Sequence, residues 1–257
     1  MSIVEKYEQG VPCWADVITS DANGAMAFYG ALFGWQFDAY PMGPEGSGLT
    51  YYMATLHGKN VVGLMQRFDD APTSWNTYIA VDDADAAVAR GVSAGGTIDV
   101  AVDEIPGSGR TGRLIDPAGA PISVWQAIGH IGSAVVNEHG AVVWSELHVA
   151  DVPSVLPFYE ATFGVGSETA PMGDAGDYTQ LQAGGRSVAG IMQVPETAPD
   201  AAPAWFVHFA VDDPDATVAL ATSLGASVAE PLVDMAGVGR FAALTDPQGG
   251  TFFIING

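Results

Sequence analysis

The chain has 257 residues, 48% of them hydrophobic and 15% charged, which is material for about two ordinary domains and argues against disorder. Thirty acidic residues against eight Lys and Arg leave a net charge of −22, a surface that repels phosphate backbones and anionic lipid; nucleic acid and membranes are excluded as partners, and a cationic ligand would be favoured. A lone Cys13 rules out an internal disulfide, and the leading MSIVEKYEQG lacks the flanks of a signal peptide, so a cytoplasmic protein is expected.

In chain order, residues 1–11 read as a lead-in. Cys13–Thr19 alternates as a strand with Trp14, Asp16 and Ile18 on one face. Asp21 is placed to cap a helix in which Ala25, Phe28, Tyr29, Leu32 and Phe33 fall at helical spacing, and Gly34 stops it. Strands are expected at 35–40, 49–56 and 60–66, the last two joined by the turn His57-Gly58-Lys59. The same βαβββ order restarts at Trp75, with Asp82-Asp83 capping a helix over 84–94 and strands at 97–104, 112–116 and 122–126. Residues 127–141 read as a linker. The whole order then repeats 130 positions later: Trp14, Asp21, Phe28, Tyr29, Phe33 and Gly34 return as Trp144, Asp151, Phe158, Tyr159, Phe163 and Gly164. The expected architecture is α+β: four βαβββ units in two tandem domains with cupped mixed sheets. They are residues 1–126 (units 12–66 and 75–126) and 142–257 (units 142–193 and 205–256).

The segments FYGALFGW (28–35), AVDD (80–83) and DPAG (116–119), with their copies FYEATFG (158–164), AVDD (210–213) and DPQG (246–249), resemble the glyoxalase, bleomycin-resistance and extradiol-dioxygenase superfamily, the vicinal oxygen chelate proteins. The tandem form is similar to actinobacterial glyoxalase-like proteins. The resemblance covers nearly the whole chain and implies the fold; the reaction it leaves open, because lyases, isomerases, dioxygenases and drug-binding proteins share the scaffold.

The resemblance also implies a divalent metal held by His, Gln or Glu at set strand positions facing the cavity. Here those positions hold Trp14 and Trp144, Asn76 and Phe206, and Ser123 and Phe253, none of them a standard ligand. Gln66 and Gln193 could each add one weak oxygen. The expectation is therefore no cofactor. The alternative is a displaced divalent metal on Glu146, His148 and His208, a two-His, one-carboxylate set that the first half replaces with Asp16, Ile18 and Tyr78. The same three residues could serve as acid and base without a metal.

Trp14, Tyr78 and Trp125 fall on the cavity face of the first half, and Trp144, Phe206 and Phe253 on that of the second, a lining suited to stacking on a planar or cationic organic ligand. Phe28, Tyr29 and Phe33 are packing residues by their spacing. Gly107-Ser108-Gly109-Arg110-Thr111-Gly112 matches G-x-G-x-x-G but lies between strands, so it reads as a loop rather than a dinucleotide site. Arg110 and its copy Arg240 could clamp a ligand carboxylate or pair with Asp103 and Asp234. The expected protein is a metal-free binder of a small molecule, monomeric as a pseudo-dimer or else a homodimer. The competing expectation is a lyase, isomerase or oxygenase using Glu146, His148 and His208.

Overall fold

A computed structural model describes residues 2–43, 46–173, 176–194 and 201–257. In chain order the first half comprises β1 (Ser2–Ile3), β2 (Pro12–Thr19), α1 (Ala22–Phe33), β3 (Gln36–Pro41), β4 (Thr50–Leu56), β5 (Lys59–Gln66), β6 (Ser74–Ala80), α2 (Ala84–Ser93), β7 (Thr97–Ile105), β8 (Gly109–Ile115) and β9 (Pro121–Ala127). After β10 (Val135–Val136) come β11 (Val142–Val149), α3 (Val152–Phe163), β12 (Gly166–Pro171), β13 (Asp177–Ala183) and β14 (Arg186–Gln193). The last unit is β15 (Ala204–Ala210), α4 (Pro214–Ser223), β16 (Ser227–Met235), β17 (Gly239–Thr245) and β18 (Thr251–Asn256).

The helices begin and end as their residues dictate. Asp21, Asp83 and Asp213 each accept a first-turn N–H, from Gly24, Ala86 and Ala216. Asp151 departs from the expected pattern: it holds the N-cap position without a side-chain cap bond. Pro153 in the first turn has no N–H to give, and the Ser154 hydroxyl donates instead to the Asp151 carbonyl at 2.7 Å. Gly34 and Gly164 end α1 and α3 at φ of 74° and 69°, the left-handed conformation that favours glycine.

Each half contributes one eight-stranded sheet, ordered β3-β4-β5-β2-β6-β9-β8-β7 and β12-β13-β14-β11-β15-β18-β17-β16. The two units of a half meet at the centre, where β2 runs antiparallel to β6 and β11 to β15. Trp14 then stands opposite Tyr78 and Asp16 opposite Asn76, while Trp144 faces His208 and Glu146 faces Phe206. The lead-in and the connection are structured too: β1 pairs with β10, the Tyr7 hydroxyl donates to the Ser133 carbonyl at 2.8 Å, and Ser133 Oγ donates to the Val61 carbonyl at 2.6 Å.

Although each sheet belongs to one half, the cores do not. Phe28, Tyr29 and Phe33 of α1 share an apolar cluster with Phe209, Ala221, Leu244 and Phe252 of the last unit. Phe158, Tyr159 and Phe163 of α3 share another with Val88, Leu114 and Ile122 of the second unit. The helix-bearing faces thus pack against each other, and the opposite faces are left as two outward cups. Burying rings this size removes a large apolar area from water, and truncating one costs about 3–5 kcal/mol.

The two tyrosines do more than pack. Tyr29 donates across the junction to Asp246 at 2.6 Å, and Tyr159 donates to Asp116 at 2.7 Å; the Trp75 and Trp205 indoles donate in turn to the two hydroxyls. Asp116 Oδ1 meanwhile accepts the N–H groups of Ala118, Gly119 and Ala120, so one carboxylate both closes its own turn and anchors the other half. Burial pushes the Asp246 carboxyl above its usual range, with the Tyr29 bond opposing the shift. Among the described residues no helix is long and apolar enough to cross a membrane.

Candidate functional site

Strand alternation puts every second residue of β2 and β11 into a cup, and one buried carboxylate stands at the middle of each. In the first cup Asp16, 2% exposed, accepts Asn76 Nδ2 at 2.8 Å on one oxygen and the hydroxyls of Tyr51 and Tyr78 at 3.0 and 2.8 Å on the other. Trp14 Nε1 donates to Tyr51 at 2.8 Å. Trp14 and Trp125 are both buried, and His130 from the connection stands edge-on to both, at 4.5 and 5.5 Å between ring centres. Ser123 lies beside Tyr78 in the neighbouring strand. Burial pushes the Asp16 carboxyl up, opposed by its three side-chain donors and by the charge of Arg113. Burial alone pushes His130 down to about 4. This cup is filled by its own side chains.

The second cup repeats the frame with other contents. Trp144 Nε1 donates to the Tyr178 hydroxyl at 2.8 Å, and Tyr178 donates to Glu146 Oε2 at 2.5 Å. His148 Nε2 lies 2.7 Å from Glu146 Oε1. Phe206 and His208 replace Asn76 and Tyr78, and neither hydrogen-bonds to the carboxylate. His148 leans on Phe206 at 4.7 Å, and His208 stacks on Phe253 at 4.5 Å with 19° between the planes. Trp144, His148 and Phe206 are partly exposed, whereas Glu146 is 8% exposed. Burial raises the Glu146 carboxyl, but the His148 bond, the positive charge available to both histidines and the Tyr178 bond outweigh it, and the net shift is downward. His208 is pushed down to about 4, chiefly by burial. Its Nδ1 is buried without a hydrogen-bond partner.

Tyr51 and Tyr178 escape a reading at 130-residue spacing because they are 127 apart, a shorter β12–β13 loop having shifted the copy by three. Gly63 and Gly190 share that offset and make room for them. A Cβ on either would come within 1.9 Å of the tyrosine oxygen. The repeated Gly-Leu-Met-Gln and Gly-Ile-Met-Gln at 63–66 and 190–193 was the available signal.

Three placements bear on the expected site. Arg110 and Arg240 do not face the cups: they stand beside Gln126 and Asn256, one residue out of phase with the cup face, and pair with Asp85 and Asp215 in the first turns of α2 and α4. Arg240 also bonds Asp234 at 3.1 Å, as anticipated, whereas Arg110 takes Asp85 rather than Asp103. Second, the arginine on the cup side is Arg113, beside Ser123 and ion-paired with Asp99. Third, Gln66 and Gln193 sit level with Thr19 and Val149, on the helix side, so neither reaches a cup.

The inherited metal positions do not fit a metal. The Trp14 and Trp144 indoles offer only an N–H, and both are spent on tyrosines; Asn76 is committed to Asp16, Ser123 is a poor ligand, and Phe206 and Phe253 have no donor atom. Among the described residues no group of three or more His, Cys, Asp or Glu side chains is gathered to hold a metal ion. The surface also has hollows away from the cups. One of about 630 Å³ lies between the His57 turn and Asp212, but its histidines, His57 and His139, are each beside a carboxylate, Glu138 and Asp212.

Paired βαβββ units forming cupped sheets, with the chemistry on the concave face, define the class of protein. The chain belongs to the Glyoxalase/Bleomycin resistance protein/Dioxygenase superfamily, whose model matches residues 13–124 and again 128–253. It is 42% identical over 255 residues, 97% of this chain and 96% of the relative, to CFP32 of Mycobacterium tuberculosis, a protein provisionally named a glyoxylase. It is 32% identical over 266 residues, 97% of this chain and 94% of the relative, to the anthracycline biosynthesis protein DnrV of Streptomyces peucetius. Among solved structures, the Mn(II)-bound glyoxalase from Novosphingobium aromaticivorans aligns with a TM-score of 0.65 at 16% identity, over 96% of this chain and 81% of that one. The 2,3-dioxygenase LapB from Pseudomonas sp. KL28 aligns with a TM-score of 0.63 at 16% identity, over 98% and 94%. At such identity these two establish the fold alone.

Proposed function

We propose that this is a metal-independent small-molecule-binding protein of two tandem domains, 1–126 and 142–257, whose working site is the second cup. Its ligand is a planar or cationic organic molecule and its place is the cytoplasm. One observation carries the reading: Glu146 stands ionised among the partly exposed rings of Trp144 and Phe206, backed by the buried Phe253, while the corresponding Asp16 is closed over by its own neighbours. An ionised carboxylate among ring faces suits a cation. The relative named for anthracycline biosynthesis supports the planar part, since anthracyclines are fused-ring aromatics.

A second reading is favoured by the 2.7 Å contact between Glu146 and His148. An ionised Glu146 holds the proton on His148 Nε2 and leaves the other ring nitrogen as a base, which suits a lyase or isomerase step without a metal. A metal held by Glu146, His148 and His208 is the form of that reading that elemental analysis addresses. Titrating planar organic cations against tryptophan fluorescence tests the binding reading: saturable quenching is expected in the wild type and lost in Trp144→Ala. Stoichiometric metal that disappears in His148→Ala, or quenching unchanged in Trp144→Ala, would overturn it.

A further inference from the structure

The geometry points to His208 as the residue that selects the ligand of the second cup, by hydrogen-bonding a hydroxyl carried on the ligand's aromatic ring. This rests on the second cup being the binding site and narrows its ligand class to hydroxylated aromatic cations.

The two cups give the reason. Tyr78, at the matching position of the first cup, spends its hydroxyl on Asp16. Only the Phe206 backbone offers a polar neighbour to the ring of His208, which has no side-chain partner among the described residues. It lies flat on Phe253, 4.5 Å away, which fixes the plane of the imidazole, and its Nδ1 is buried with no partner among the described residues. The groups around Glu146 are committed to one another: Trp144 Nε1 to Tyr178, and the Tyr178 hydroxyl and His148 Nε2 to Glu146. Folded proteins rarely leave a buried ring nitrogen unpaired; at the matching position of the first cup the Tyr78 hydroxyl is satisfied by Asp16, although His130 Nε2, behind the tryptophans there, also lacks a partner among the described residues. Nδ1 is therefore the group left over for a ligand.

Its chemistry follows. With burial holding it down to about 4, His208 is neutral near pH 7 and offers one N–H and one lone pair. A hydroxyl both donates and accepts, so it meets Nδ1 in either tautomer, whereas a bare hydrocarbon edge leaves the nitrogen unpaired. The ring bearing that hydroxyl is bounded by Phe206 and Phe253, whose centres are 5.5 Å apart. A cationic substituent on it is drawn toward Glu146 rather than toward either neutral ring.

The test uses two probes, a naphthylmethylammonium with a ring hydroxyl and the same compound without it. Both are titrated calorimetrically into the wild type, His208→Phe and His208→Asn, each first checked for an unchanged circular dichroism spectrum. The wild type is expected to prefer the hydroxylated probe by about tenfold, the weight of one buried hydrogen bond. His208→Phe keeps the stack on Phe253 and should bind both alike. His208→Asn places an amide near Nδ1 and should recover part of the preference, which a purely structural histidine would not allow. If both probes bind the wild type equally, or His208→Phe retains the preference, the assignment of His208 falls and the second-cup reading stands. Failure of both probes to bind the wild type overturns both.

Discussion

The two cups are built on one frame and differ in how completely they satisfy themselves. Each has a tryptophan donating to a tyrosine that donates to a central carboxylate. In the first, Asn76 and Tyr78 add two more donors and His130 covers the tryptophans, so the face is a small core of its own. In the second, Phe206 and His208 stand in those places and add none. The carboxylates respond in opposite directions: burial wins at Asp16, whose carboxyl is pushed up, and hydrogen bonding and charge win at Glu146, which is pushed down. Among the described residues each cup leaves one buried ring nitrogen unpaired, His130 Nε2 behind the tryptophans of the first and His208 Nδ1 beside the carboxylate's neighbours in the second.

The largest effect that would sharpen this contrast comes from the carboxylates. Asp16→Ala strands three buried donors, Tyr51, Tyr78 and Asn76, and is expected to cost about 3–5 kcal/mol. It should leave binding of organic cations to the second cup unchanged. Glu146→Ala strands two groups, one of them at the more open rim, and is expected to cost about 1–3 kcal/mol while weakening binding at least about tenfold. Denaturant midpoints at constant slope, measured beside ligand titrations, separate the two variants. Equal loss of stability and equal loss of binding would erase the distinction between the cups.

Much of this frame was legible in the sequence. The repeat gave four βαβββ units, and alternation put Trp14, Asp16, Tyr78, Trp144, Glu146 and His208 on the faces where they are found. Tyr51 and Tyr178 stayed hidden because a loop three residues shorter moved them out of the 130-residue register. For Arg110 and Arg240 residue type alone left a ligand clamp and a structural pairing both open; their strands put them out of phase with Trp125 and Ile255, and Arg240 does pair with Asp234. The bonds from Tyr29 to Asp246 and from Tyr159 to Asp116 had no local signal at all. Both partners recur in each half, but which half each joins depends on how the sheets stack, and no periodicity encodes that.

A smaller effect follows from pH. His208 and His130 are both pushed down to about 4 from the ordinary 6.5. Below 6.5 the unfolded chain takes up protons that the folded one refuses until about 4, so stability falls as pH drops through that window. The contribution of His208 is on the order of 3 kcal/mol. Asp16 acts in the opposite sense, because its raised carboxyl takes a proton more readily in the folded state. Melting temperature against pH should therefore decline from 6.5 toward 4, less steeply in His208→Phe; an unchanged slope in that variant would mean that the ring is not held neutral by burial.

The smallest effect is an expected absence of one. Arg110 and Arg240 hold solvent-facing carboxylates on the first turns of α2 and α4, where water and salt screen the attraction. Arg110→Gln and Arg240→Gln should leave denaturation midpoints and cation binding where they were. Their strands turn them toward the helices, and each is already paired with an acid in a helix first turn, so neither is expected to clamp a ligand in a cup. A binding defect in Arg240→Gln would therefore place the ligand on the helix side of the second sheet and remove the cup from consideration.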